Sequence, residues 1–255
     1  MNDKNTKPVI LKVEGITKYF GSVRALSDVS FEVYEDEVVG LVGDNGAGKS
    51  TLIKIISGNF PSDKGNIYLE GQRINFKTPV EARRIGIETV YQDLSLCENL
   101  DASSNLFIGR ELHKNVLGFR VLQKREMEKR TVEVLGKIGI NIPSVKEKVE
   151  YLSGGQRQAV ALGRFVAWGE KLILLDEPTA ALGVRETRKA LDLVLTIRKE
   201  KSISMIFISH NLQHVFEVAD RIIVLRHGEV VGIRERKLTN PDEIVALITG
   251  AIFVT

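Results

Sequence analysis

The residues with the clearest chemical potential form a glycine-rich stretch between residues 43 and 51. It follows the pattern G-x-x-x-x-G-K-[ST] and reads Gly43, Asp44, Asn45, Gly46, Ala47, Gly48, Lys49 and Ser50, with Thr51 next. Glycines let the backbone curl so that successive N–H groups point at phosphate oxygens. Lys49 can reach the β- and γ-phosphates of a nucleotide, and Ser50 offers a hydroxyl to Mg²⁺. The stretch therefore predicts a phosphate-binding loop.

The elements on either side of this loop support that interpretation. Glu37–Val42 is a mostly apolar segment that predicts a strand, and Ser50–Ser57 predicts a helix that Gly58 ends. The helix start adds the positive end of its dipole to the loop. The alternative, a glycine-rich turn with a chance lysine, would not require a strand before it and a helix after it.

Two adjacent carboxylates, Asp176 and Glu177, follow the apolar segment Leu172–Leu175. In parallel sheets ligands bind at the carboxyl ends of strands, where both acids would lie. Asp176 suits Mg²⁺ binding through water, and Glu177 suits polarisation of an attacking water molecule. On its own, the pair is equally consistent with a solvated strand end. The phosphate loop in the same chain favours the functional interpretation.

The string Leu152-Ser153-Gly154-Gly155-Gln156 predicts a helix start that runs on to about Trp168. Ser153 and Gln156 can form a capping box. A capping box needs no glycines, and Gly154 and Gly155 each lower helix stability by roughly 1 kcal/mol. Two glycines at this position suit a phosphate that approaches the backbone closely.

In type and order, these motifs resemble those of the ATP-binding cassette ATPases, over nearly the whole chain. The resemblance implies that Phe20, or alternatively Tyr19, stacks on adenine, and that Gln92 senses Mg²⁺ and the attacking water. His210 corresponds to the switch histidine that contacts the γ-phosphate. ATP and Mg²⁺ are the implied cofactors. The implied catalytic residues are Lys49, Gln92, Glu177 and His210, and the implied metal-binding residues are Ser50, Gln92 and Asp176.

The resemblance also implies partners and a location. Two copies would dimerise head-to-tail, with each ATP between Gly43–Thr51 of one copy and Ser153–Gln156 of the other. The other partners would be integral membrane permease subunits and, indirectly, an extracytoplasmic sugar-binding protein. The chain would be a peripheral protein on the cytoplasmic face of the membrane.

Two further segments, Ala180–Glu186 and Asn105–Glu111, resemble the monosaccharide-import branch, which handles ribose-, xylose- and fructose-type sugars. Many members of that branch carry two fused cassettes. This chain resembles a single-cassette member, and an isolated half of a double cassette is the alternative. Neither resemblance names the sugar.

Strands that alternate with helices predict an α/β fold with parallel βαβ units. With the resemblance, this becomes a P-loop NTPase core with an N-terminal antiparallel β-subdomain and an inserted α-helical subdomain. We expect one domain over residues 1–255. Its core and β-subdomain would span approximately residues 1–92 and 168–255, and its helical subdomain approximately residues 93–167.

Composition excludes several other classes. The 255 residues carry 36 basic and 33 acidic side chains, and the net charge of +3 does not argue for a nucleic-acid partner. Cys97 is the only cysteine, so an intrachain disulfide is excluded. The polar N-terminus does not resemble a signal peptide, and no apolar run approaches the ~20 residues that cross a bilayer. Membrane-spanning segments would therefore come from a partner.

One position departs from the family pattern. Gly183 stands where the family usually has the aspartate of the D-loop. This substitution raises the alternative of a nucleotide-binding regulatory subunit with low turnover. A second alternative is a soluble cassette protein that acts on ribosomes or DNA. Such proteins usually carry a second cassette or a long coiled-coil insertion, and neither pattern occurs in the sequence.

Overall fold

The computed structural model describes residues 7–90, 96–137, 142–168, 171–180, 183–201 and 203–251. The strands of these segments are β1 (Val9–Phe20), β2 (Val23–Tyr34), β3 (Val38–Val42), β4 (Lys64–Leu69), β5 (Gln72–Ile74), β6 (Ile87–Val90), β7 (His113–Val116), β8 (Phe119–Leu122), β9 (Leu172–Asp176), β10 (Ser204–Ile208), β11 (Arg221–Arg226) and β12 (Glu229–Glu235). The α-helices are α1 (Lys49–Ile56), α2 (Pro79–Arg84), α3 (Ala102–Phe107), α4 (Lys124–Lys137), α5 (Gly154–Trp168), α6 (Val184–Lys201), α7 (Leu212–Val218) and α8 (Pro241–Thr249). Short 3₁₀ helices cover Val149–Tyr151 and Arg236–Leu238.

The central element is a six-stranded sheet with the order β12-β11-β3-β10-β9-β6. Its strands pair in parallel except for β12, which pairs antiparallel with β11. All residues of β3, β9 and β10 are buried, as expected when layers cover both faces of a parallel sheet. Because parallel neighbours share their direction, the loops after β3, β9 and β10 lie at one edge of the sheet.

The two faces of this sheet contribute to two different cores. In β3, Val39 and Leu41 pack into the core that the sheet shares with α1 and the antiparallel sheet. Val38 and Val42 pack on the opposite face, in a core that also includes residues of α6, α7 and α8. The alternation follows from the two-residue period of a strand.

The antiparallel sheet has the order β2-β1-β4-β5. In the sequence, Glu70-Gly71-Gln72 and His227-Gly228 each stand between two strand-like segments and predict hairpins. The turn between β4 and β5 uses Glu70 at φ 50° and Gly71 at φ 76°, which confirms the first hairpin. His227 at φ 49° and Gly228 at φ 80° turn β11 into β12, which confirms the second. Positive φ at both central residues is the two-residue turn that suits the twist of a hairpin.

Helices α3, α4 and α5 pack against one another and have small cores of their own. The antiparallel pair β7–β8 lies between α3 and α4, in a region for which the sequence pattern predicts helices only. That expectation is wrong at residues 113–122. The subdomain boundaries near residues 92 and 168 stay predictions.

The sequence predicts a helix start with a capping box at Thr78 and Glu81, and a last short helix that opens at Asn240 and that Gly250 can end. The outcomes of these two predictions differ. Asn240 caps α8 by accepting the N–H of Glu243, and Gly250 ends that helix at φ 78°. Thr78 precedes α2, but its side chain accepts no capping hydrogen bond. The capping box predicted there is wrong, because Glu81 accepts the N–H of Lys77 instead. Among the described residues, no helix combines the length and apolar character needed to cross a membrane.

Candidate functional site

A cavity of about 240 Å³ opens where β3 and β9 end and α1 begins. Backbone topology brings its parts together from four separate segments of the chain. The cavity is lined by Ala25, Asn45, Gly46, Ala47, Gly48, Lys49, Ser50, Thr51, Asp176, Glu177, Ile208 and His210. Most of the predicted loop, both carboxylates and the predicted histidine therefore face one space. Ala25 and Ile208 were not predicted, and neither belongs to a motif.

The loop can take its shape only with glycine at particular positions. Gly43 has φ 152°, and a Cβ there would lie 2.0 Å from the backbone oxygen of Leu225 on β11. Gly48 has φ 104°, and its Cβ would lie 2.8 Å from the backbone oxygen of Ala25 on β2. The two glycines thus let the loop pack directly against the backbones of two neighbouring strands.

We expect Gly43→Ala to destabilise the chain by about 2–4 kcal/mol, because the added methyl group displaces backbone rather than a side chain. Gly46→Ala is the matched control: φ is 79°, but no atom lies within 4 Å of the new Cβ. The free energy of unfolding of that variant should fall by only about 1–2 kcal/mol. Urea unfolding measures both free energies, and equal losses would contradict a steric role for Gly43.

Lys49 lies at the start of α1 and is buried. Its Nζ donates to the backbone oxygens of Gly43, at 2.7 Å, and Asp44, at 2.9 Å. Burial lowers the pKa of Lys49, while the charges of Glu177 and Asp176 oppose that change. The loop therefore holds a partly desolvated ammonium group at the cavity, where its attraction for an anion is stronger than in bulk water.

Asp176 is the last residue of β9 and is buried. Burial raises its pKa, and a hydrogen bond from Ser50 and the charge of Lys49 act in the opposite direction. Its Oδ1 is buried and has no hydrogen-bond partner among the described residues. A buried oxygen without a donor, beside the hydroxyl of Ser50, suits a hard cation.

Glu177 follows Asp176 with φ 54°, a conformation that non-glycine residues rarely adopt. Its N–H donates to the backbone oxygen of Ile208 at 3.1 Å, which holds this turn against the end of β10. The turn explains how two adjacent acids both face the cavity, as the sequence led us to expect.

His210 Nε2 lies 3.2 Å from Glu177 Oε1. This contact is not a hydrogen bond, since Glu177 Oε1 accepts none from the described residues. Burial raises the pKa of Glu177, whereas the charge of His210 and a hydrogen bond from its backbone lower it. A carboxylate with a raised pKa in a cleft, next to an imidazole, is typical of a general base.

The helix start at Ser153 forms both bonds of the predicted capping box. The N–H of Ser153 donates to Gln156 Oε1 at 2.9 Å, and the N–H of Gln156 donates to Ser153 Oγ at 3.3 Å. These residues do not line the cavity of Lys49 and Glu177. Their role in nucleotide binding stays a prediction that needs a second copy of the chain.

The two glycines of this helix start differ. A Cβ on Gly154 would meet nothing within 4 Å, so this position leaves the backbone open to a ligand. A Cβ on Gly155 would lie 2.7 Å from Cγ of Glu186, so Gly155 also makes room for a neighbouring side chain. Gly183 borders the same carboxylate, since its Cβ would lie 2.8 Å from Glu186 Oε2. Glu186 lies in the segment Ala180–Glu186 that resembles the monosaccharide-import branch, but sequence reasoning did not predict it as a site residue.

The predicted adenine-stacking residues are not part of the cavity lining. Phe20, at the end of β1, is 48% exposed and packs edge-on against Phe60 with ring centroids 5.5 Å apart. The ammonium of Lys18 lies 5.7 Å from the centre of the Phe20 ring. Phe20 does not line the cavity, and its role, like that of Tyr19, stays a prediction. Gln92 lies outside the described residues.

Comparison with known proteins identifies the family. The ABC transporter family matches residues 26–180, a span that holds the phosphate loop, the Ser153 helix start and both carboxylates. The chain is 46% identical over 246 residues to the fructose import ATP-binding protein of Rhizobium meliloti, covering 95% of this chain and 94% of that protein. It is 45% identical over 241 residues to the xylose/arabinose import ATP-binding protein of Sulfolobus acidocaldarius, covering 94% of each.

A solved structure agrees with these relatives. The dimeric post-hydrolysis state of an ATP-binding cassette bound to ADP and Pi superposes with a TM-score of 0.76 at 28% identity, covering 89% of this chain and 98% of the other. The chain belongs to the ABC transporter family, as an ATP-binding cassette that hydrolyses ATP. The predicted fold class is thereby confirmed.

Proposed function

We propose that this chain is the ATP-hydrolysing subunit of a monosaccharide importer. The observation that carries the proposal is the single cavity shared by Lys49, Ser50, Asp176, Glu177 and His210. The sugar class rests on relatives that are import ATP-binding proteins for fructose and for xylose and arabinose. The chain acts as a peripheral protein on the cytoplasmic face, with permease subunits and, indirectly, an extracytoplasmic sugar-binding protein.

In this proposal the loop from Gly43 to Thr51 binds the phosphates of ATP through its backbone N–H groups and the dipole of α1. Lys49 places its charge on the outer phosphates. Glu177 accepts a proton from the attacking water, and His210 stabilises the charge that develops on the γ-phosphate. Gln92 completes the catalytic set.

Mg²⁺ fits the residues present. Ser50 and Asp176 would hold it, with Gln92 as a further ligand, and the unpartnered Oδ1 of Asp176 supports this assignment. The described residues hold no group of three or more His, Cys, Asp or Glu side chains that could bind a metal. A magnesium site completed by substrate phosphates needs only one or two carboxylates. The bound ion would neutralise charge on the transferred phosphoryl group.

We further propose a head-to-tail dimer. Helix α5 starts outside the cavity of its own chain, at Ser153, Gly154, Gly155 and Gln156. A helix start with an open backbone at Gly154 suits an anion. A second copy would bring this start to the γ-phosphate held by the first copy. ATP would thus join two incomplete half-sites.

The raised pKa of Glu177 predicts the pH dependence of turnover. A general base works deprotonated, so a raised pKa means that activity is lost at a higher pH than for an ordinary glutamate, whose pKa is 4.5. A pKa of the free enzyme is read from kcat/KM, so we expect kcat/KM for Mg-ATP to fall on acidification before the pH reaches that value. Nucleotide affinity measured in parallel separates loss of the base from weaker binding. A kcat/KM that stays constant down to about pH 4.5 would contradict the raised pKa.

Transport is tested separately from hydrolysis. The tagged chain is recovered from native membranes in mild detergent, and its partners are identified by mass spectrometry. We expect a permease among these partners. We also expect the operon of that permease to encode a binding protein for pentoses or fructose. A ribosomal or nucleic-acid partner instead would overturn the importer proposal while leaving the ATPase assignment intact.

A further inference from the structure

The β7–β8 hairpin lies between α3 and α4, and none of its strand residues belongs to a hydrophobic core of the described residues. All eight residues of its strands are exposed, on both faces. An isolated two-stranded hairpin is at best marginally stable in water, so a surface that completes it would add order. The nucleotide site makes no use of this element.

Three of the four strand residues on one face of the hairpin are apolar, and the fourth is Lys114. Val116 pairs with Phe119, and Lys114 pairs with Val121, and these four alternate residues share a face. Phe119 is 75% exposed, and Leu117 at the tip is 94% exposed. Large side chains at this exposure, side by side, mark a contact surface rather than scattered surface residues.

The turn residue supports a contact role. Leu117 has φ 51° and Gly118 has φ 86°, the conformation in which asparagine or glycine is favoured at the first position. A leucine there is unfavourable for the turn and contributes nothing to a core. A contact with a surface outside the chain would explain why this position carries an apolar side chain.

The charges around the tip are all of one sign. Residues 112–125 contain Lys114, Arg120, Lys124 and Arg125 and no acidic side chain. Lys124 pairs with Asp101. Lys114 and Arg120 form no salt bridge within the described segments. They lie roughly 7–10 Å behind the tip along strands that rise about 3.3 Å per residue.

An apolar tip with cations set back along its strands matches an anionic bilayer surface. Apolar side chains at a tip can enter the acyl boundary while the cations behind the tip meet the phosphates. A protein partner would need a cleft that accepts both faces of the hairpin. We propose that the tip of the hairpin, Val116, Leu117 and Phe119, inserts into anionic phospholipid, with Lys114 and Arg120 at the headgroups. This inference rests on the proposed location at a membrane.

Co-sedimentation of the full chain with vesicles tests the proposal. We expect binding to vesicles of phosphatidylcholine with phosphatidylglycerol, and little binding to phosphatidylcholine alone. L117S/F119S should weaken binding to the anionic vesicles about tenfold. K114Q/R120Q should weaken it by a similar factor and reduce its salt dependence. K237Q/L238S removes the same kinds of groups from another exposed site and should bind as the unmodified chain does.

All four proteins should retain ATP hydrolysis, since the hairpin is remote from the catalytic residues. Loss of vesicle binding with hydrolysis intact is the expected pattern for the hairpin variants. The lipid proposal is overturned if the unmodified chain does not bind anionic vesicles, or if the hairpin variants bind as well as it does. It is also overturned if those variants bind vesicles normally but no longer co-purify with a permease. Absent hydrolysis in every protein would instead contradict the proposed function.

Discussion

Glu177→Gln will lower steady-state ATP hydrolysis by at least about 10²-fold while leaving ATP binding intact. Glutamine keeps the size and hydrogen-bonding shape of the side chain but cannot accept the proton of the attacking water. Glu177 is buried, faces the same cavity as Lys49 and Ser50, and has a raised pKa. With hydrolysis blocked, ATP that joins two copies is not released, so a dimer should accumulate.

Phosphate release and size-exclusion chromatography with ATP measure the two consequences. Glu133→Gln is the matched control, because it makes the same chemical change on an exposed residue of α4. That control should behave as the unmodified chain. Undiminished phosphate release by Glu177→Gln would refute the assignment of the base, and would reopen the choice between Glu177 and its neighbours.

Lys49→Ala should weaken ATP binding by about 10²-fold, the effect of losing charge-assisted hydrogen bonds to phosphate. The ammonium of Lys49 is partly desolvated and is held by the backbone oxygens of Gly43 and Asp44. It is therefore already positioned at the cavity. Because the site is partly desolvated, solvent weakens the attraction between this ammonium group and a phosphate less than it would in bulk water.

Calorimetric titration with Mg-ATP measures the affinity. Lys54→Ala removes an exposed lysine from the same helix and should leave the affinity nearly unchanged. If both variants bind ATP as well as the unmodified chain, Lys49 is not a phosphate ligand. If both variants lose affinity equally, the loss comes from the reduced positive charge and not from the position of Lys49.

The alternative of a low-turnover regulatory subunit rests on Gly183. The structure shows that the carboxylate of Glu186 borders this glycine and also Gly155. An acidic group therefore lies next to the position where the family has its aspartate. Membership of a family of cassettes that hydrolyse ATP argues against the regulatory subunit, and the kcat of the unmodified chain measures how fast this cassette turns over.

Much of the fold follows from local chemistry. The parallel core was predictable because buried strands are apolar throughout, as in Leu172–Leu175, and because helices alternate with them. The hairpins at Gly71 and Gly228 were predictable because such turns require positive φ, which favours glycine, so the glycine marks the turn in the sequence. The capping box of Ser153 and Gln156 was predictable because both of its bonds form within four residues.

The exceptions have physical causes. The turn at Leu117 and Gly118 carries a weak hairpin signal, since leucine does not favour positive φ, and the apolar residues around it also suit a helix. At Thr78, the expected box fails because the carboxylate of Glu81 reaches the N–H of Lys77 instead. The N–H groups of Lys77 and Thr78 are neighbouring donors for the same carboxylate, and the sequence does not show which of them donates. Only the three-dimensional structure shows it.

The phosphate loop illustrates what the sequence alone determines. Its residue types and spacing specify phosphate binding, because Gly43, Gly48 and Lys49 act within one short segment. The sequence likewise marks Asp176, Glu177 and His210 as candidates for metal binding and catalysis. What it cannot specify is that β3, β9 and β10 end side by side and bring these groups to one cavity.

Only the tertiary structure decides the contacts that depend on distant segments. It shows that Gly43 packs against the backbone of Leu225, that Glu177 turns at φ 54° to approach His210, and that Glu186 fills the space beside Gly155. It also leaves the Ser153 helix start outside the cavity of its own chain. The reason is physical: local hydrogen bonds and backbone propensity act over a few residues, whereas these distances depend on the packing of the whole sheet.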